Sequence, residues 1–599
     1  MARLYLDFET KSKAAISVGP TAYAQDPTTQ VLCAAWAIDD GPIQHWTPAE
    51  SQPKEWRQEG LTLVAHNIEF ECNILHHTLD FTLCFEKLSD TAARAAAYGW
   101  PRSLEDIGLY IGHRKMKINF RTATLSQLME YCANDVHVLR KIDKLIPELS
   151  ETEHRVWLAT LYMNSLGIPV DREAAELIFR RFVEAKAQIP RILSSLTNGE
   201  ITSPHQSQRF KAWLKKKGYE VDDMLADTVK HILTLNPPED VAAVLELRQA
   251  GAKSAGNKFG YIMDAAVEAK HNGVPRHYRV HDSFIYCGAL TGRWTGSGLQ
   301  PHNLPRECSN DWERDYAVIV SGQHVLKFAK GLVRGCVCAP SGKTLIWADF
   351  ASIEYVVLTW LAQDKEQLDA FEKGADQYRT LASKLYKVPY DQVTKEQRFM
   401  GKVAILGCGY GMGATKFLSV AQQWGASITA ADAKSAVDTY RKVNHRVVEL
   451  WGRLEKAAAA AFSHSVTAVT VNAKACIRFV KEGEALCCEL PSGRVIRYHN
   501  AKREDGGISY DNPRGGRGIL YRGTLIENVV QAIARDLIAL PMLKTEPVMA
   551  VHDELVWEAW EHDADYAAKF YKRIMEERPS WGYDIPIRCE VTVARRYSK

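Results

Sequence analysis

The sequence predicts a multidomain α/β chain, and three observations carry that expectation. At 599 residues it is too long to fold around one core, so several packed units are expected. Residues 1–150 alternate short apolar strand patterns with helical ones. A helix-rich stretch follows, interrupted by one strand near 345, and the C-terminal third returns to short strands and helices.

Composition narrows the class. Hydrophobic residues at 46% and charged residues at 25% are ordinary for a soluble globular protein. "MARLYLDFETKSK" meets charge within a few residues, unlike a secretory signal, and no apolar run approaches the roughly 20 residues a membrane span needs. The 13 cysteines are scattered without a CxxC pair, which reads as reduced thiols in a cytoplasmic protein and offers no zinc site. A net charge of only +3 means that any nucleic-acid surface must be local.

Taken in order, "ARLYLDFE" is a strand with carboxylates at its end, and "VLCAAWAID" and "LTLVAHN" are further strands. Helical patterns follow, among them "TLSQLMEYCANDVHVLRKIDKLI". Residues 151–270 are mostly amphipathic helix with a basic tract, "RFKAWLKKKG", at 209–218; Lys253 and Lys258 continue the style. A solvated helix face is the ordinary meaning of such a run. Residues 274–306 carry Arg276, Arg279, Arg293 and Arg306 against Asp282, with turn signals in "TGRWTGSG" and "PHNLPR". From "GKTLIWADF" a strand leads into a helical section over 353–465. No repeat or low-complexity segment interrupts the chain.

Two carboxylates sit where an apolar strand breaks. In "VMAVHDELVWE" (548–558) the break is His552-Asp553-Glu554, and in "LIWADFASIEYVV" it is Asp349. Taken singly, a hairpin turn explains Asp553 and a helix N-cap explains Asp349. Brought together from adjacent strands, the two would repel unless neutralised, and divalent cations are the common solution. Two Mg²⁺ ions about 4 Å apart suit an in-line phosphoryl displacement. Between them, "EQRFMGKVAILGCGYGMG" puts Arg398 and Lys402 on one helix face, with Tyr410 farther along nearly the same side. Two cations and an aromatic suit a triphosphate and a base; a solvated face with an inward tyrosine is the alternative.

These segments resemble family A DNA polymerases, the DNA polymerase I class, in the compact form found in bacteriophages and prophages. "DFASIE" resembles motif A, "RFMGKVAILGCGYG" motif B and "VHDE" motif C; "TGRWTGSGLQPHNLPR" resembles the palm segment before motif A, and "ENVVQAIARDLI" the helix before motif C. The resemblance implies a right-hand polymerase domain: thumb at 151–270, palm at 271–363 and 451–599, and fingers at 364–450. It implies two metals held by Asp349, Asp553 and the Phe350 carbonyl, with Glu554 beside them. Glu354 resembles the steric gate against ribonucleotides. Arg398 and Lys402 would bind the triphosphate, and Tyr410 would stack near the templating position. Arg293, Gln300, Asn303, Gln531 and His552 would contact primer-template, with the basic thumb tract, Lys253 and Lys258 on phosphates. Two positions depart from the family: Leu406 stands where Phe or Tyr is usual, and Tyr378 where His is usual, which puts sugar selectivity and one triphosphate contact in question.

At the N-terminus, period two puts Asp7 and Glu9 on one strand face. "AHNIEFE" adds Glu71, and "YCANDVHVL" places Tyr131 and Asp135 on one helix face. Four acids around two metals, with a tyrosine to orient water, make a phosphodiester hydrolysis site; surface strand acids and a capping Asp are the alternative. Together they resemble a DEDDy 3′–5′ proofreading exonuclease of ribonuclease H-like fold spanning 1–150, with Asn67 and Phe70 matching the second motif. Glu71 departs from the usual Asp, and its longer arm still reaches a metal.

The expected protein is therefore a Mg²⁺-dependent (Mn²⁺ as substitute) DNA-directed DNA polymerase with proofreading. Its implied partners are primer-template DNA and dNTPs, with helicase, single-strand binding protein or processivity factor as replication partners, and the implied state is a cytoplasmic monomer. A single-subunit RNA polymerase, an exonuclease-only protein and a catalytically silent DNA-binding scaffold are the alternatives.

Overall fold

The computed structural model describes residues 2–113, 116–252, 255–269, 276–463 and 466–598. Strand β1 (Ala2–Lys11) is the centre of a five-stranded sheet ordered β3-β2-β1-β4-β5, with β2 Gln30–Ile38, β3 Gln44–Trp46, β4 Leu61–Ala65 and β5 Lys87–Asp90. β2 is antiparallel to β1 and to β3, while β4 and β5 run parallel to β1. Helix α1 (Leu125–Leu145) starts at a capping box between Thr124 and Gln127. Its Leu128, Cys132, Val136 and Leu139 recur at helical spacing and pack on Tyr5, Cys33, Ala35 and Val64 of the sheet.

The helical region after residue 150 divides around α2 (Arg172–Leu196). Beyond its midpoint a separate small core forms from Ile189, Leu193, Phe210, Trp213 and Leu214. The basic tract lies on helix Ser207–Lys216, whose apolar residues face that core. Around it Lys215, Lys216 and Lys217 form surface ion pairs with Glu220, Glu200 and Asp240. Such exposed pairs contribute little to stability, so they leave the lysines ready to exchange partners.

A second, antiparallel sheet is ordered β7-β8-β6-β9, with β6 Lys343–Phe350, β7 Met549–Val551, β8 Glu554–Trp560 and β9 Cys589–Ala594. Its central strand β6 buries Thr344 to Ala348 without a break, as a strand covered on both faces must. Helices α3 (Ile353–Leu361), α4 (Gln377–Tyr386) and α5 (Lys395–Cys408) follow β6 in the chain, and the sheet is packed by α6 (Arg522–Met542) and by helix Ala564–Met575. Between α5 and α6 the chain forms a four-stranded meander over 467–498 and a three-stranded sheet over 502–520.

The two sheets share one contiguous apolar core, and polar contacts link the segments around them. Glu153 makes a bidentate ion pair with Arg535 at 2.6 and 2.8 Å, and Asp282 accepts from the Thr21 N–H and hydroxyl at 2.7 and 2.9 Å. Among the described residues no helix is long and apolar enough to cross a membrane.

Candidate active sites

The apolar arms of residues 548–558 form the hairpin β7–β8, whose turn is His552-Asp553, with His552 at φ +57°. β8 pairs with β6 in a register that sets Asp349 opposite Glu554, and β9 sets Glu590 on the other flank. The Phe350 N–H donates to the Asp553 carbonyl at 3.1 Å. The structure thus brings Asp349, Phe350, Asp553 and Glu554 together at one end of the sheet. Glu554 is 1% exposed, and the Tyr597 hydroxyl donates to its Oε1 at 2.6 Å. Burial and the neighbouring carboxylates push the Tyr597 phenol far up, so it stays a donor. Closely spaced acids presenting hard oxygen donors at a strand end fit divalent cations such as Mg²⁺.

Across from this corner, α5 presents Arg398 and the exposed Lys402 one turn apart. Asp376 caps α4 through the Tyr378 and Arg379 N–H groups, and its other oxygen accepts from Arg398 Nε at 2.5 Å. The guanidinium lies 5.3 Å from the Tyr378 ring, so the tyrosine that replaces the expected His packs against Arg398. A Cβ on Gly401 would come within 2.1 Å of the Tyr378 carbonyl oxygen; glycine there lets α4 and α5 approach. Leu406 is 38% exposed. The helix ends at Cys408, and Gly411 at φ +80° turns the chain.

Glu354 joins the two halves of the site. One oxygen accepts from Tyr410 OH at 2.7 Å and the other from Arg293 Nη2 at 2.5 Å. Burial first, and Glu354 second, push the Tyr410 phenol well above its ordinary value. Burial and Glu354 also raise Glu527, which accepts from Gln531 Nε2 at 3.1 Å. Asn303 Nδ2 donates to Gln300 Oε1 at 3.3 Å. Between them His302 meets the His552 ring edge-on at 5.2 Å, and burial plus that neighbour push His302 down to about 4. Arg293, Gln300, Asn303, Gln531 and His552 therefore line the approach to the acidic corner. Lys258 lies beside Gln300: its ammonium donates to the Leu299 carbonyl at 2.7 Å, and burial lowers its pKa. Lys253 lies outside the described residues.

The N-terminal acids converge as well. Asp7, Glu9 and Cys132 hold potential ligand atoms within 4.8 Å of one another. The Cys132 thiol donates to the Asp7 carboxylate at 3.1 Å and to its carbonyl at 3.2 Å. Glu71 is 3% exposed; burial first, then the charge of Asp7, raise its pKa well above the carboxylate range. Its Oε2 is buried with no hydrogen-bond partner among the described residues, and a cation placed among these acids would satisfy it. Asp135 follows Cys132 on the same face of α1, and Tyr131 packs edge-on against the exposed Phe120 at 5.3 Å; Asp135 and Tyr131 are buried.

Sequence reasoning passed over Tyr597, Asp376, His302 and Cys132. Cys132 lies inside the quoted "YCANDVHVL", next to Tyr131, and Asp376 stands two residues before Tyr378.

The family model for DNA polymerase family A matches residues 183–480. The chain carries a family A DNA polymerase domain. Its enzyme class is the DNA-directed DNA polymerase, a nucleotidyltransferase. The family A match includes Asp349, Glu354, Arg398, Lys402 and Tyr410; the hairpin at Asp553 and the N-terminal acids lie outside it. A DNA polymerase of Bacillus phage SP02 is 25% identical over 100% of both chains. DNA polymerase I of Chloroflexus aurantiacus is 24% identical over 85% of this chain, which spans 52% of that relative's length. In fold, the polymerase domain of Pol1 from M. smegmatis, solved in complex with DNA primer-template and dNTP, covers 100% of this chain and 95% of its own. Its TM-score is 0.65 at 18% identity.

Proposed function

We propose that the protein extends a primer 3′ end on a DNA template, adding deoxynucleotides at the Asp349–Asp553 corner, and removes 3′-terminal nucleotides at the Asp7–Glu9–Glu71–Asp135 site. The observation that carries the polymerase reading is the Phe350 N–H bond to the Asp553 carbonyl, which joins two acids distant in sequence.

In this reading Asp349, Asp553 and the Phe350 carbonyl hold Mg²⁺, with Glu554 behind them. Bound Mg²⁺ supplies charge stabilisation for the attacking and leaving oxygens of phosphoryl transfer, and Mn²⁺ can substitute. Arg398 and Lys402 grip the triphosphate and offset charge developing on pyrophosphate. Asp376 fixes where the Arg398 guanidinium points, and Tyr378 covers one of its faces. Glu354, held by Arg293 and Tyr410, stands as a rigid wall against a sugar 2′-hydroxyl. Leu406 offers the sugar only an aliphatic contact. Arg293, Gln300, Asn303, Gln531 and His552 follow the primer-template, where minor-groove acceptors are nearly degenerate and allow sequence-tolerant contact.

For the nuclease reading the support is the clustering of Asp7 and Glu9, whose charges bear on the buried Glu71, together with the unsatisfied Glu71 oxygen. Asp7, Glu9, Glu71 and Asp135 hold the metals there, and Tyr131 orients water. The domain bounds follow: exonuclease 1–150, thumb 151–270, palm 271–363 and 451–599, fingers 364–450. Purified protein with Mg²⁺, a primed template and four dNTPs tests the whole reading. Extension that halts when any one dNTP is left out supports it; incorporation of ribonucleotides at equal efficiency would favour an RNA polymerase instead.

A further inference from the structure

A cleft runs between the N-terminal unit and the three-stranded sheet at 502–520, apart from both acidic sites. It consists of two adjoining cavities of about 530 and 350 Å³ that share Trp100, Asn512 and Pro513 in their walls. Arg102 and Arg514 line the larger, and Tyr110 and Arg517 the smaller. The larger also reaches Gln531, and so opens beside the primer-template approach described above.

The lining has two components that belong together for one kind of ligand. Trp100 and Tyr110 lie 5.0 Å apart between ring centroids, and Tyr110 is 43% exposed. Three guanidiniums surround them. Arg514 and Arg517 are exposed and bond to the main-chain carbonyls of Gly288 and Asn500; that fixes Arg514 without neutralising it, while Arg517 also pairs with Asp511 at 2.8 Å. Arg102 is anchored likewise on the Tyr286 carbonyl at 3.0 Å. The one carboxylate in the wall, Asp511, is already engaged by Arg517 and Asn500. Aromatic faces flanked by arginines bind nucleic acid whose bases are unpaired, because only unstacked bases expose a π-face. Duplex DNA offers none.

A third cavity of about 180 Å³ adjoins through Arg102 and Ile285 but is lined by Glu69, Asp90 and Asp282. This smaller cavity offers phosphates only Arg102, and its acids give them no donor, so the strand is assigned to the arginine-lined part.

We propose that this cleft binds an unpaired DNA strand, stacking bases on Trp100 and Tyr110 and holding phosphates with Arg102, Arg514 and Arg517. The proposal rests on the polymerase reading, which supplies the DNA. Its test is direct binding of the full chain, in EDTA to stop hydrolysis, to three labelled DNAs: a blunt duplex, the same duplex with an unpaired 3′ end, and one with a 5′ template overhang. Tyr110→Ala and Arg514→Glu, both at exposed positions, are expected to weaken at least one overhang substrate by about fivefold or more each. Blunt-duplex affinity should stay within about twofold. The overhang that suffers names the strand. Equal loss on all three DNAs, or no loss on either overhang, overturns the proposal. If the wild-type chain binds none of them, the polymerase reading fails instead, so the two failures are distinguishable.

Discussion

The Phe350 amide and the Asp553 carbonyl are bonded at 3.1 Å, which fixes the turn of one hairpin to the end of the strand that carries Asp349. Because the link is main chain to main chain, side-chain substitutions at 349 and 553 leave it in place.

Asp349→Ala with Asp553→Ala should therefore fold normally and lose primer extension by at least about a thousandfold, the several kcal/mol that metal-held phosphoryl transfer supplies. Degradation of 3′ ends should continue in the same preparation. Asp7→Ala with Glu9→Ala should show the reverse pattern. Extension that survives the first pair would remove Asp349 and Asp553 from the mechanism.

Glu354 is clamped from both sides, by Arg293 and by Tyr410. A wall held this way discriminates by steric contact rather than by flexing. Glu354→Ala should raise the ribo-to-deoxy ratio of kcat/KM about tenfold or more, within the range a single lost contact gives. Tyr410→Phe removes one hydrogen bond to a charged group, worth about 1.5–3 kcal/mol, and should shift the ratio in the same direction by less. Single-nucleotide incorporation kinetics with dNTP and rNTP measure both; an unchanged ratio in Glu354→Ala would sink the steric-gate role.

The strands that carry Asp349 and Asp553 were legible because apolar runs broken by acid are hard to mistake. β3 and β5 were not, since three or four residues are too few to show period-two alternation. The partners of the site residues were hidden for a different reason. Tyr597 reaches Glu554 only through the pairing of β9 with β6, and Arg293 reaches Glu354 only through packing. Sequence spacing carries no trace of either. The Lys258 bond to the Leu299 carbonyl is likewise a product of packing.

Cys132 donates its thiol hydrogen to Asp7 and thereby holds that carboxylate toward Glu9. Cys132→Ala should slow degradation of single-stranded 3′ ends by about fivefold, the loss of roughly 1 kcal/mol, while primer extension stays unchanged. Cys132→Ser retains a donor and should recover to within about twofold of wild type. If alanine and serine behave alike, the thiol contributes packing and not orientation.

The Glu153–Arg535 pair gives the chain a pH dependence whose sign can be worked out. Burial alone would raise Glu153, but Arg535, 1% exposed and bonded to both its oxygens, overcomes that and holds it at about 2. An unfolded glutamate titrates near about 4.3. The folded value is depressed, so the stabilisation is complete above about 4.3 and is lost as pH falls towards 2. Glu153→Gln leaves the buried Arg535 only its longer pair with Asp536 at 3.4 Å and should cost about 3 kcal/mol at pH 7. Arg535 also accounts for why the loss is not local: it sits on α6 between the palm sheet and the helix carrying Glu153, so both units feel it. Chemical unfolding of wild type and Glu153→Gln at pH 7, 5 and 3 should show a constant gap between 7 and 5 that narrows at 3. A gap that stays constant to pH 3 would mean that the pair does not set this part of the acid response.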